Sequence, residues 1–136
     1  EGLVNWRPEE YKGATLLHYS AAYGRALYVS TLLDRGADIH AKTNNGGMTS
    51  LMLASQLGHA SWISVLLDRG ADIHAKDDAE RTSLMVASQL GHASCISVLL
   101  HRGADIHAKS NNGWTSLMLA LQNGHTSCSL ILKGAR

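Results

Sequence analysis

Residues 49–76 read TSLMLASQLGHASWISVLLDRGADIHAK, and residues 82–109 read TSLMVASQLGHASCISVLLHRGADIHAK. The two stretches start 33 positions apart and differ at three of their 28 positions. The heptapeptide GADIHAK occurs once more at 36–42, and TSLM occurs once more at 115–118. Agreement of this kind at a fixed period shows that the chain is a tandem array of one unit of about 33 residues.

Each unit contains the pattern of two short helices separated by a glycine. Thr49 is a residue type that caps helix N-termini, and the residues that follow it are good helix formers. Gly58 can end this helix in the left-handed conformation. Residues 60–68 then carry a broad apolar stripe at helical spacing, and Gly70 follows. The sequence therefore predicts helix pairs at roughly 15–35, 49–69, 82–102 and 115–133.

The helix pairs are joined by polar segments that contain Asn-Gly at 45–46 and 112–113, a dipeptide typical of hairpin turns. One unit cannot bury its apolar stripes alone, but stacked neighbours can. We therefore predict an all-α solenoid of about four helix–turn–helix units with protruding β-hairpin-like turns. It forms a single domain over residues 1–136, with unit 1 at about 1–36, unit 2 at 37–70, unit 3 at 71–103 and unit 4 at 104–136.

The repeated residues resemble a known family. The pattern TSLM-x-AS-x-x-GH followed by LL-x-x-GADI is similar to the ankyrin repeat, whose consensus resembles TPLH-x-AA-x-x-GH and LL-x-x-GADVNA. The resemblance covers nearly the whole chain. It implies an ankyrin-repeat solenoid that binds another protein and carries out no catalysis.

Three departures from the family pattern carry structural expectations. His18 alone keeps the family histidine, and methionine replaces it in the later units, so the usual threonine–histidine bonding is not expected there. Glu80 stands in a turn where units 2 and 4 have glycine, which predicts backbone strain. Gly124 to Gly134 is two positions shorter than the same interval in unit 3, so we expect the last helix to be short or irregular.

Charge and composition argue against several classes of partner. The chain has twelve Lys and Arg and eleven Asp and Glu, which gives a net charge of +1. A protein with a specific nucleic-acid surface normally has a clearly positive net charge. The basic residues recur beside acidic ones, as on a solvated face. No apolar run approaches the ~20 residues that span a bilayer, so no membrane insertion is expected. No signal peptide is visible in the given N-terminal residues either.

The cysteines and histidines are interpreted as parts of the scaffold. Cys95 and Cys128 are one unit apart at a second-helix core position, beyond disulfide reach, which favours buried thiols and an intracellular setting, cytoplasm or nucleus. The histidines form two rows, at 40, 74, 107 and at 59, 92, 125. Stacked units lie ~8–10 Å apart, whereas zinc holds nitrogen at ~2.0–2.1 Å. We therefore expect no metal site, and histidines that hydrogen-bond in turns.

Catalytic chemistry finds no support in the sequence. A catalytic site is a convergence of differently placed groups, whereas nearly every Ser, His and Asp here recurs with the period. No phosphate-binding glycine loop, HExxH or GxSxG motif occurs. We therefore expect no enzyme activity and no required cofactor.

A partner is expected to bind at positions that the scaffold does not fix. The family resemblance places these at the hairpin tips and on the exposed face of each first helix, which together line a concave groove. Met48, Arg81 and Trp114 occupy the most varied position of the unit and, with Tyr23, are predicted anchors. An alternative is that Met48 and Trp114 only pack against neighbouring hairpins. The candidate partner-binding residues are Tyr23, Asn44, Asn45, Met48, Gln56, Leu57, Asp78, Arg81, Gln89, Leu90, Asn111, Asn112, Trp114 and Gln122.

The predicted function is that of a non-catalytic protein–protein interaction module, a monomer as an isolated domain, which binds a partner protein through this concave face. The alternative is a regulatory or spacer array that belongs to a larger protein whose activity lies elsewhere. A third class, nucleic-acid binding, would show a steep salt dependence of affinity.

Overall fold

The computed structural model describes residues 15–23 and 26–135, and within them the chain forms eight α-helices and no β-strand. For residues 22, 23, 26 and 27 only the backbone is described. None of these helices is both long and apolar enough to cross a membrane. The helices are α1 (Leu16–Tyr23), α2 (Ala26–Asp34), α3 (Ser50–Gln56), α4 (Ala60–Asp68), α5 (Ser83–Leu90), α6 (Ala93–His101), α7 (Ser116–Gln122) and α8 (Thr126–Gly134).

The helix boundaries follow the capping residues of the repeat. Thr49, Thr82 and Thr115 each accept a hydrogen bond from the backbone N–H three residues later, at 3.3, 3.4 and 3.3 Å. This bond satisfies one of the N–H groups that a helix start leaves without a partner. Gly91 ends α5 at φ 81°, the left-handed conformation in which glycine carries no steric penalty. The predicted helix pairs are confirmed.

The helices form two layers. The first helices α1, α3, α5 and α7 pack side by side in one row, and the second helices α2, α4, α6 and α8 form the other row. The core lies between the rows and continues through all units, because each unit buries its apolar stripe against the next. Its fully buried residues include Leu17, Leu51, Ile63, Leu66, Leu84, Ile96 and Leu99.

The last helix is regular, so the expectation of a short or irregular helix in unit 4 was wrong. α8 has nine residues, the same as α4 and α6. Gly134 is the last residue of α8 and matches His101 of α6, not the glycine that follows α6. Cys128 and Leu132 remain buried in α8, and this preserved apolar stripe keeps the helix packed.

The hairpin-like turns also stack upon one another. The N–H of Asp78 donates to the carbonyl of Gly46 at 2.9 Å, and the N–H of Asn111 donates to the carbonyl of Ala79 at 3.1 Å.

Glu80 has φ 62°, the one positive φ outside glycine among the described residues, which confirms the predicted strain in this turn.

His18 ties unit 1 to unit 2. Its Nδ1 accepts from the N–H of Thr15 at 2.9 Å, and its Nε2 donates to the carbonyls of Ala41 and Met48 at 2.9 and 3.0 Å. Met52, at the equivalent position of unit 2, is fully buried and can offer no such bond. The histidine contact is therefore a feature of the first interface, and later interfaces rely on apolar packing at this position.

Candidate functional site

A cavity of about 280 Å³ lies where the turns of units 3 and 4 meet helices α5 and α7. Residues from both turns and both helices line it, so the stacking of two units creates the site. Six predicted binding residues meet there: Arg81, Gln89, Asn111, Asn112, Trp114 and Gln122. We call this space the unit 3–4 cavity.

Arg81 is held by a network beneath the cavity. Its Nε donates to Asp77 Oδ2 at 2.9 Å, its second guanidinium nitrogen lies 2.8 Å from the same oxygen, and its Nη1 donates to Gln89 Oε1 at 2.9 Å. The Asp77 side chain is only 2% exposed and also accepts from the N–H groups of Ala79 and Arg81 at 3.0 and 2.8 Å. Arg81 therefore brings to the cavity a cation whose charge is already paired.

Trp114 and Met48 are both half-buried and are anchored through their own turns. The N–H of Trp114 donates to Ser110 Oγ at 3.2 Å, and the N–H of Met48 donates to Thr43 Oγ1 at 3.0 Å. Part of each side chain therefore packs on the scaffold, and part faces solvent. Trp114 lines the cavity, whereas Met48 lies outside it.

The other predicted residues are not brought into this cavity. Those exposed on the turns and at the ends of α3 and α5 are Asn44, Asn45, Gln56, Leu57, Asp78 and Leu90. Leu57 and Leu90 are 44% and 45% exposed, and single exposed leucines of this kind are ordinary on a protein surface. The side chain of Tyr23 lies outside the described residues.

Three lining residues, Ala79, Ser110 and Leu119, are not among the candidate partner-binding residues of the sequence analysis. Ser110 occupies the turn position of Asp77, and this variation between units was a usable signal. Leu119 is half-buried on α7 at the position of Val86, which is 2% exposed in unit 3. Its partial exposure depends on its place in the stack, which residue type alone does not indicate.

One row of histidines joins successive units, as the hydrogen-bonding interpretation predicted. Nε2 of His92 lies 2.8 Å from the carbonyl of Gln56, and Nε2 of His125 lies 3.0 Å from the carbonyl of Gln89. A side chain at Gly58 would come within 2.9 Å of the His92 ring, so the glycine also makes room for this contact. Across the described ranges, no group of three or more His, Cys, Asp or Glu could hold a metal ion.

The repeated basic side chains bond within the scaffold. Arg69 pairs with Asp34 at 2.6 Å, and Arg102 pairs with Asp68 at 2.8 Å, each one unit back along the chain. Lys42 Nζ donates to the carbonyl one unit ahead at 2.8 Å. These contacts pair positive side chains with acidic and carbonyl partners of the neighbouring unit.

The two cysteines are buried and unpaired, as predicted. Burial raises the pKa of the Cys95 thiol to about 11, against a smaller lowering by a hydrogen bond with Ser94. Burial also raises the pKa of Cys128. Because the thiolate is the nucleophilic form, these environments suppress cysteine chemistry.

The comparison with protein families identifies the class of this chain. A family model described as "Ankyrin repeats (3 copies)" matches residues 3–77 and again residues 75–136. The chain belongs to the ankyrin-repeat family. The stacked helix pairs agree with the solenoid of that family. A search of curated proteins gave no match.

Membership in the family defines function at a coarse level. Ankyrin repeats generally act as protein–protein interaction modules, and domains of this kind are typically non-catalytic. Function in a solenoid is carried by side chains grafted on the scaffold and not by the fold itself. The residues that vary between units therefore carry the argument for a specific site.

Proposed function

We propose that this chain binds a partner protein through the face formed by its hairpin turns and first helices, with the unit 3–4 cavity as the main anchoring point. The observation that carries the proposal is the convergence on one cavity of six residues that the sequence predicts as binding residues. Trp114 supplies an aromatic wall, and aromatic side chains are enriched among the residues that dominate binding energy.

The polar groups around Trp114 suit a protein ligand. The same cavity as Trp114 is lined by Gln89, Gln122, Asn111 and Asn112. A side-chain amide carries both donors and an acceptor. A cavity of about 280 Å³ accommodates one or two side chains of a partner and is small for an independent cofactor site. The paired charge of Arg81 leaves no strong bias toward an anionic ligand.

The setting of this interaction is proposed to be intracellular, in the cytoplasm or nucleus. Cys95 and Cys128 are both unpaired thiols, and reduced cysteines are typical of compartments in which glutathione and thioredoxin act.

A pull-down from cell lysate with mass spectrometry tests the proposed surface. The wild type is compared with the double variant Trp114→Ala, Gln122→Ala and with a control, Tyr28→Ala, which removes a 57% exposed aromatic side chain from α2. Circular dichroism verifies that all three proteins are folded. We leave Arg81 intact, because its removal would strand the buried Asp77 carboxylate.

The expected result is a partner that binds the wild type and the Tyr28 variant and is lost from the double variant. A partner retained by the double variant would place the binding surface elsewhere. A partner lost only from the Tyr28 variant would move the site to the second-helix row.

A further inference from the structure

The side of unit 4 that faces away from unit 3 presents apolar side chains that the preceding unit keeps covered. Met118 and Leu121 on α7 are 47% and 52% exposed. Met85 and Ser88, at the same positions of unit 3, are fully buried, and α7 packs against the helix that carries them. Leu117 is half-buried and lies one helical turn from Leu121, on the same side of α7. We call these three residues of α7, Leu117, Met118 and Leu121, the end face.

A cavity of about 260 Å³ adjoins the end face, and we call it the end cavity. Its lining residues all belong to unit 4, and they are Ile106, His107, Thr115, Leu117 and Leu132. At the corresponding place of unit 2 the space is smaller, about 170 Å³, because the next unit contributes Ala71, Asp72 and Ala75 to its lining. The end cavity therefore lies where internal units receive their neighbour.

Two substitutions make this side of unit 4 different from the internal interfaces. Leu121 stands where units 2 and 3 have Ser55 and Ser88, which are both fully buried. A neighbour stacked in the usual register would have to enclose a leucine in a space that fits serine, and such overpacking is destabilising. Lys133 is exposed and replaces Leu100, which packs against the core, so α8 adds a charged edge beside the apolar α7. These changes favour an occupant that covers α7 alone.

The shape and charge of the end face make it complementary to itself. Leu121 is half exposed, and the end cavity is lined by Leu117, which lies four residues or ~6 Å away along α7. A surface that carries both an exposed apolar side chain and a cavity can pair with a second copy of itself through a two-fold rotation, which places each side chain at the cavity of the other copy. Helix α7 contains no charged residue, so two copies of it do not repel one another.

We propose that the end face is a self-association surface, through which two copies of this chain form a two-fold symmetric dimer. Helix α7 of one copy packs antiparallel to α7 of the other, about an axis at the level of Leu119. This arrangement brings Leu121 of each copy beside Leu117 of the other. Because three apolar side chains from each copy form the centre of the contact, its area lies at the small end of specific interfaces, and the dimer is weak and reversible. The monomer predicted from the sequence is then the form present at low concentration.

The dimer contact and the unit 3–4 cavity use different residues of α7. Leu119 and Gln122 line the unit 3–4 cavity, and neither belongs to the end face. Self-association therefore goes beyond the proposed binding of a partner and does not depend on it. A dimer carries two copies of the unit 3–4 cavity, so a partner with two matching epitopes would bind it with avidity.

Sedimentation equilibrium of the whole chain, from micromolar to millimolar protein, measures the association. The expected result is a monomer–dimer equilibrium without larger species, because a two-fold contact closes on itself. Species that continue to grow with concentration would indicate a head-to-tail contact and would overturn the two-fold arrangement. A monomer over the whole concentration range would overturn the proposal as well.

A matched pair of variants places the contact on the molecule. Leu121→Ser gives α7 the serine of units 2 and 3, and it is expected to weaken the dimer about tenfold or more, because each dimer loses two buried leucine side chains. The control Leu130→Ser makes the same change at a 63% exposed leucine of α8, where Ser97 of unit 3 is exposed although unit 4 packs beside it. This control is expected to leave the dimer unchanged, and circular dichroism verifies that both variants are folded. A dimer that is indifferent to Leu121→Ser, or equally weakened by both variants, would show that the end face is not the contact.

Discussion

Units 3 and 4 carry nearly the same first helix but bury it differently. Met85 of unit 3 is fully buried, whereas Met118 at the same position of unit 4 is 47% exposed. Ser88 is fully buried, whereas its counterpart Leu121 is 52% exposed. Helix α7 packs against the helix that carries Met85 and Ser88, whereas among the described residues no further first helix packs against α7. Equal sequence motifs therefore contribute unequally to stability, according to their neighbours in the stack.

The hairpin-like turns of units 3 and 4 also differ. In unit 3 the buried Asp77 carboxylate accepts from backbone and guanidinium groups, whereas in unit 4 Ser110 at the same position accepts from the N–H of Trp114. The unit 3 turn is thus held by a charged side-chain network, whereas in unit 4 the side chain at this position adds one neutral bond to the backbone bonds of the turn. The side-chain contribution to turn stability should therefore be larger in unit 3 than in unit 4.

The largest expected effect comes from truncating the two methionines. Met85→Ala should lower the free energy of unfolding by about 2–5 kcal/mol, because it leaves a cavity in a fully packed interface. Met118→Ala should lower it by about 0.5 kcal/mol, the usual size for a partly exposed site. Urea unfolding followed by circular dichroism measures both. Equal losses would show that unit 4 is covered in solution.

The turn networks give the next effect. Asp77→Ala should destabilise the protein by about 1–3 kcal/mol, because it leaves the Arg81 guanidinium and two backbone N–H groups without their acceptor. Ser110→Ala should cost less than about 1 kcal/mol, because only one neutral bond is lost. Thermal unfolding of both variants makes the comparison. A Ser110 variant as unstable as the Asp77 variant would show that the two turn side chains contribute equally to stability.

The smallest effect concerns backbone strain at the tips. Glu80→Gly should raise the free energy of unfolding by about 1 kcal/mol, because a side chain at φ 62° is sterically penalised. The surface ion pair of Glu80 with Lys76, at 3.5 Å, offsets little of this gain. Gly113→Ala, at φ 80° in unit 4, should lower stability by a similar amount. The urea midpoints of the two variants measure these changes. A shift of both midpoints in the same direction would contradict the expected role of backbone strain.

Much of the fold could be predicted because the same helix-boundary residues occur in several copies of the unit. Thr49 and Gly58 mark helix ends in one copy, and their counterparts mark the same ends in the others. The exception is α8, for which the short interval from Gly124 to Gly134 predicts a short or irregular helix although its buried residues continue to Leu132. The spacing of apolar residues was a better guide to that helix than the position of one glycine.

The candidate site was predictable in part. Positions that vary between units led to Arg81 and Trp114, which the structure places on one cavity. The pairing of Arg81 with Asp77 was not foreseen, because Asp77 has no equivalent acid in units 2 and 4 and no periodic pattern marks it. The partial exposure of Leu119 was not predicted either, because it depends on whether another unit packs against helix α7.

Apart from those of His18, the side-chain contacts described between units join positions about one repeat apart. The pairs Arg69–Asp34 and Arg102–Asp68 use the same two positions, as do the contacts of His92 and His125 with carbonyls one unit back. In evolutionary terms, a duplicated internal unit brings both halves of every such contact with it. The array is thus built from a module that can be copied without inventing a new interface, which explains how units 2 and 3 remain almost identical.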